Sequence, residues 1–217
     1  MDQQLYQWLK EKNTAEILRW LSSVPSGISY RDEGGVSLLL LSFYFGNREL
    51  SEFILAARKP ADIFEAVVCD DISSAAAYLQ ENPELMNSFS PDGFTPLGFA
   101  AYFCRVEIAR LLLERGADPV ICSRNAFKVF PLHSAVAANC EEIVRLLLAH
   151  GASPQVKQQR EITPLHSAAH NGNVNITKLL LSYGADRGVL TADGKSVLDM
   201  AVEAKAAEII SILTEKT

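Results

Sequence analysis

The chain has 217 residues, 48% hydrophobic and 21% charged, with a formal net charge of −6. That apolar share is ample for a core, and no basic stripe argues for nucleic acid as a partner. No membrane insertion is expected either, because the longest apolar stretch, Val36 to Phe45, contains two serines and reaches about half a bilayer span. The charge is uneven: residues 1–90 hold 13 acids against 7 bases, while 91–217 hold 13 of each. Ordinary solubility charge explains this, and so does an acidic half that selects a basic partner. Met1-Asp2-Gln3-Gln4 is not a basic leader and no cleavage site follows an apolar run, so a soluble, cytoplasmic protein is expected.

In chain order, Leu5-Trp8-Leu9, then Thr14 capping Ile17-Leu18-Trp20-Leu21, predict a helical pair. Ser37 to Ser42 with Leu50, Phe53, Ile54 and Leu55 predict a second. Ile63 to Val67 with Ala75 to Leu79 give a degenerate third, closed by Asn82-Pro83, and a longer connection follows from Asn87 to Pro91. Three better-matched units come next. Thr95-Pro96-Leu97, Pro131-Leu132-His133 and Thr163-Pro164-Leu165-His166 each open a short helix. Leu111-Leu112-Leu113, Leu146-Leu147-Leu148 and Leu179-Leu180-Leu181 each lie in a second helix, and Gly116-Ala117, Gly151-Ala152 and Gly184-Ala185 close it. A last unit, Ser196 to Ala201 with Ile209 to Leu213, lacks the Pro and the His.

Pro131 to Pro164 and Gly151 to Gly184 are both 33 residues, whereas Pro96 to Pro131 is 35, so an irregular hairpin is expected around Val120 to Asn125. A period near 33 means stacked supersecondary units with room for six to seven of them. Each can be built locally. Thr163 suits the N-cap and Pro164 the first helical position, Asn171-Gly172-Asn173 is a turn, and Gly184 sits where a left-handed cap is wanted.

With these residues in place, the chain resembles the ankyrin-repeat family: Thr-Pro-Leu-His, Leu-Leu-Leu and Gly-Ala-Asp occur together in register. The resemblance implies an all-α ankyrin-repeat solenoid of helix-turn-helix units with projecting hairpin-like loops. It covers one domain, 1–217, with divergent units over 1–90, three well-matched repeats over 91–190 and a capping repeat over 191–217. It also implies that His133 and His166 hydrogen-bond local backbone and tie neighbouring loops together.

Cys69, Cys104 and Cys140 fall near the end of the first helix in three successive units. Corresponding points on stacked helices lie about 8–10 Å apart, beyond the roughly 7 Å limit for a disulfide. Free thiols are therefore expected, with Cys122 a fourth, which suits a reducing compartment. His166 and His170 stand i, i+4 but have no third ligand, so no metal and no cofactor is expected. Ser134 and Ser167 adjoin histidines in sequence, yet neighbours on a helix point about 100° apart and form no triad.

The resemblance implies a non-catalytic protein–protein interaction module, not an enzyme: a monomeric scaffold, adaptor or inhibitor that binds a protein on its concave face. An enzyme or metal-dependent protein with an unrecognised site is the alternative, as is a structural subunit of a larger assembly. In this family, contacts cluster at the end of the first helix and at the loop tip before Thr-Pro. Carried onto this chain, that implicates Tyr44, Phe45, Phe94, Tyr102, Phe103, His170 and Asn171, with Val68, Cys69, Ala137, Ala138, Val129 and Ile162 at the remaining equivalent places.

Overall fold

The computed structural model of the chain describes residues 2–215. Within them the chain forms seven helix pairs. They are α1 (Asp2–Lys10) with α2 (Thr14–Ser23), α3 (Leu38–Tyr44) with α4 (Arg48–Ala57), and α5 (Ile63–Val68) with α6 (Ile72–Glu81). There follow α7 (Pro96–Tyr102) with α8 (Val106–Glu114), and α9 (Pro131–Ala137) with α10 (Glu141–Ala149). The last are α11 (Pro164–His170) with α12 (Val174–Ser182), and α13 (Val197–Glu203) with α14 (Ala207–Thr214). First helices from α3 to α13 pack side by side in one layer, and the second helices stack in another. Both layers bury the same leucine-rich and alanine-rich core, including Leu39, Ala66, Ala100, Ala135 and Ala168. Fold class and family pattern are thus as expected.

Side-chain caps start α3, α5, α7, α11 and α13. The side chains of Ser37, Asp62 and Thr95 accept from the amides of Leu40, Glu65 and Gly98 at 3.2, 2.8 and 3.0 Å. In α9 the cap position is Phe130, which has no such group, and the fixed φ of Pro131 serves instead. One expected cap moves by a residue. Asn13, not Thr14, caps α2, and the Thr14 hydroxyl instead donates to Asn47 at 3.0 Å, joining the first pair to the second.

A left-handed residue turns each pair: Lys12, Gly46, Asp70, Cys104, Asn139, Gly172 and Lys205, with φ from 53° to 67°. Their spacing is 33 to 35 residues in every case but one; Gly46 to Asp70 is 24. The cause is a missing loop. α4 and α5 are joined by residues 58–62 alone, where α10 and α11 are joined by 150–163 and α12 and α13 by 183–196. The projecting loops on either side close up, so that a Cβ on Gly35 would lie 3.3 Å from the Pro91 side chain. The segment from Asn87 to Pro91, expected to be longer, belongs to a connection (82–95) of ordinary length that begins with a 3₁₀ turn over Pro83–Asn87. The irregularity after Gly116 is real: the Ser123 amide donates to the Val129 carbonyl at 2.8 Å across a left-handed Lys128.

The expectation of four free thiols is corrected. Cys104 and Cys140 form a disulfide, with Cα atoms 5.7 Å apart. The stacking distance applies to equivalent positions, and these are not equivalent. Cys104 is a left-handed turn residue whose counterpart is Asn139, and Cys140 follows it as the cap of α10. That one-residue offset brings the two within reach. Cys69 and Cys122 are free, and burial beside Glu65 pushes the Cys69 thiol up to about 12.

At the N-terminal end, Tyr6 packs edge-on against Phe45 at 5.9 Å and Trp20 against Tyr30 at 5.9 Å, while α2 packs on α4. The first pair therefore covers the apolar face of the unit holding Leu38 to Leu41. At the other end Glu203, Lys205 and Glu208 are exposed as a polar cap requires; Lys216, expected to join them, lies outside the described residues. Deleting residues 1–25 should expose the second unit and cause aggregation in size-exclusion chromatography; a monomeric deletion variant with the parent thermal midpoint would refute this.

Gly116, Gly151 and Gly184 close α8, α10 and α12 at φ of 92°, 89° and 84°. A Cβ at any of them would meet nothing within 4 Å, so only the backbone angle calls for glycine. Gly151→Val and Gly184→Val should each cost about 1–2 kcal/mol in urea titration; unchanged midpoints would show that the angle is tolerated.

Candidate interaction site at the missing loop

Where the loop is absent, polar chemistry replaces it. Glu65 is the third residue of α5, the place held by His133 in α9 and His166 in α11. It is fully buried, yet it accepts from Arg58 at 2.7 and 3.0 Å and from the Ala61 amide at 2.7 Å. Burial pushes its carboxyl up, but Arg58, the Ala61 amide and the Ser37 hydroxyl outweigh that and hold it below the usual range. Arg58 also donates to the Ile28 and Lys59 carbonyls, so one guanidinium pins the shortened connection to the loop before it. Breaking such a pair would strand a buried charge.

Apolar chemistry fills the rest. α7 carries Gly98 where α9 and α11 carry histidine, and Phe99 where they carry Ser134 and Ser167. With no side chain at Gly98, the Phe94 ring reaches Phe99 at 5.6 Å between centroids. Tyr44, two units away in sequence, crosses the gap and lies against Phe99 at 6.2 Å and parallel to Phe103 at 6.1 Å. Its hydroxyl donates to Asp92, which also accepts from Ser90 at 2.6 Å. Burial and this carboxylate raise the Tyr44 pKa far above 10.0, so the phenol stays protonated and donates at every accessible pH. Tyr44, Phe94, Phe99 and Tyr102 line a pocket of about 210 Å³.

The residues expected to bind a partner fall into three groups. Tyr44, Phe94 and Tyr102 come together around that pocket, and Tyr102 is 53% exposed. Phe45 and Phe103 are half-buried, Phe45 against Tyr6 and Phe103 beneath Tyr44 and Tyr102. His170 and Asn171 line a separate groove of about 410 Å³ with Ala137, Ile162, Lys195 and Glu203. Val68 is buried and its carbonyl accepts from Arg105 at 2.6 and 3.0 Å, because α5 reaches its left-handed turn one residue sooner than the other first helices do. Phe99 did not stand out in the sequence; what distinguishes it is bulk at a position that holds serine in the next two units.

His133 ties its unit to the next loop, whereas His166 bonds its own N-cap and leaves Nε2 buried without a hydrogen-bond partner. His133 donates from Nε2 to the Ile162 carbonyl of the next unit at 2.9 Å. His166 closes a capping box: Thr163 Oγ1 lies 2.8 Å from its Nδ1, which also accepts from the Thr163 amide at 3.3 Å. Phe130 offers no hydroxyl at the equivalent place, and His133 Nδ1 is left buried without a partner. Among the described residues no cluster of three or more His, Cys, Asp or Glu could hold a metal ion. No helix among them is long and apolar enough to cross a membrane.

Two stacked helical layers with loops projecting from one edge define a repeat protein whose surface is extended instead of cleft-like. The family model described as "Ankyrin repeats (3 copies)" matches residues 5–158 and 132–217, and the chain belongs to that family. It is similar to the ankyrin repeat and SOCS box protein 16 of Mus musculus, 52% identical over 48 residues, which are 22% of this chain and 10% of that protein. It is also similar to the serine/threonine-protein kinase VIK of Arabidopsis thaliana, 30% identical over 82 residues (38% of this chain, 18% of that protein). A third similarity is to the neurogenic locus notch homolog protein 4 of Homo sapiens, 50% identical over 56 residues (26% and 3%). The chain thus spans less than a fifth of the length of each of these relatives.

Burial lowers the His133 pKa to about 4, against an ordinary 6.5, and lowers that of His166 too. Between those two values the unfolded chain binds the proton and the folded chain does not. His133 therefore contributes stability that is fully present above pH 6.5 and is lost as pH falls toward 4. Stability in urea should drop by about 2 kcal/mol from pH 7.5 to pH 5 through this residue alone. His133→Gln should flatten that slope; an unchanged slope would show that His133 protonates freely in the folded state.

Proposed function

We propose that this chain is a non-catalytic protein-binding module, a single continuous solenoid that acts as a monomeric scaffold, adaptor or inhibitor. It grips a protein partner along the concave face of first helices and loop tips. One observation carries this reading: two tyrosines at first-helix ends, Tyr44 and Tyr102, border a pocket floored by a buried phenylalanine. Aromatic groups around a desolvated pocket are the usual material of interface hot spots. A stack of rigid helices would hold them in place before binding and so lose little entropy. Ankyrin repeats are generally protein–protein interaction modules, and matching segments occur in proteins named for a kinase, a SOCS box and a notch locus. That spread suits a transferable binding unit. In the cytoplasm, where thiols are kept reduced, Cys104 and Cys140 would be two neighbouring thiols with their sulfurs moved apart to nonbonded contact.

Tyr44→Ala combined with Tyr102→Ala should weaken a partner isolated from native extract at least tenfold, or about 1.4 kcal/mol. The circular dichroism spectrum should stay that of the parent. Undiminished affinity in calorimetry would place the site elsewhere, and an unfolded double variant would assign the rings to packing.

A further inference from the structure

The pocket at the missing loop has a composition that selects its occupant. All four lining residues are aromatic. Asp92, whose carboxylate accepts from the Tyr44 hydroxyl, stands just outside that lining, in an adjoining cleft that Arg124 also lines, and forms no ion pair among the described residues. The chain already places its own cations on rings nearby, but not on these. Arg105 lies 5.9 Å from the Phe43 centroid and Arg124 lies 3.8 Å from that of Phe89. The flanking chain is acidic, with 13 acids against 7 bases over residues 1–90. Ring faces beside a fixed negative charge attract a cation.

The supply of hydrogen-bond acceptors says which cation. Lysine brings three N–H donors and arginine five, each of which must find an acceptor once desolvated. Asp92 is outside the lining, so the pocket itself offers such donors no acceptor but the tyrosine hydroxyls, and that of Tyr44 is already bonded to Asp92. A quaternary ammonium has no N–H to satisfy, and its methyl groups suit an apolar wall. We infer that the Tyr44–Phe94–Phe99–Tyr102 pocket takes the trimethylammonium group of a methylated lysine on the partner protein. This rests on the reading of the same face as the binding surface.

The test titrates the full chain, followed by aromatic NMR resonances, with Gly/Ser-flanked peptides of one sequence that differ only at the central residue. That residue is trimethyllysine, its neutral tert-butyl carbon isostere, lysine or arginine. Trimethyllysine should bind at least tenfold more tightly than each of the others. Tyr102→Ala should abolish that preference, and Asp92→Asn should weaken trimethyllysine while sparing the isostere. Equal binding of the isostere would make the pocket merely apolar and overturn the inference. Tighter arginine or lysine, or no binding by any peptide, would overturn it as well. A partner that loses affinity in the Tyr44/Tyr102 double variant but is indifferent to its own lysine methylation would sink this inference alone. A partner indifferent to the double variant would remove the underlying reading too.

Discussion

No unit of this chain can bury its own apolar face. A first helix of six or seven residues is too short to hold itself together in water, and its apolar side is covered only when the next pair stacks on it. Leu39, Ala66, Ala100, Ala135 and Ala168 are each fully buried, and each belongs to a different pair. Stacking in register is therefore the condition for everything else. It is maintained at two places in each unit: the left-handed turn between the helices and the loop that returns the chain to the next one. Small residues at the contacts let the first helices approach closely, and the leucines of the second helices close the other side.

Losing one return loop disturbs that arrangement without breaking it. Residues 58–62 carry the chain from α4 to α5 with no excursion, so the turn comes early and α5 is a residue shorter than the other first helices from α3 onward. The histidine that elsewhere ties a helix to a loop would find no loop there. Glu65 stands in its place and takes its partners from Arg58 and the Ala61 amide within the shortened connection. The exchange is chemically sensible: an acceptor-only side chain suits a site that offers a guanidinium and a backbone N–H.

The regular part of this architecture was legible in the sequence because its signals are local. Thr163, Pro164 and Gly184 each specify a backbone conformation whatever surrounds them, and they do so with a fixed period. Whatever depended on distance between units was not legible. The Cys104–Cys140 contact follows from a one-residue offset between stacked turns, which a rule for equivalent positions cannot express. The missing loop was hidden because α3 and α5 lack the Thr-Pro marks from which a shortened interval could be measured. Phe45 and Phe103 look like Tyr44 and Tyr102 in a one-dimensional pattern. They differ only in which side of the helix end faces the neighbouring unit.

The aromatic pocket can be separated from the needs of the fold by comparing equivalent positions. Ala137 holds the place in α9 that Tyr102 holds in α7, and α9 stacks on α7 and α11 without a ring there. Stacking as such therefore does not call for an aromatic side chain at that position. Tyr44 is a mixed case, since it packs on Phe103 and bonds Asp92 across the gap, so its removal loosens the junction as well as the pocket. Phe99 belongs to the core outright, at 2% exposed. Tyr102 is 53% exposed and touches Phe103 only edge-on at 5.0 Å. The half of that ring left in water gains nothing from burial on folding. Its apolar face is desolvated only when something enters the pocket. Tyr102 is therefore the lining residue whose ring the fold least requires.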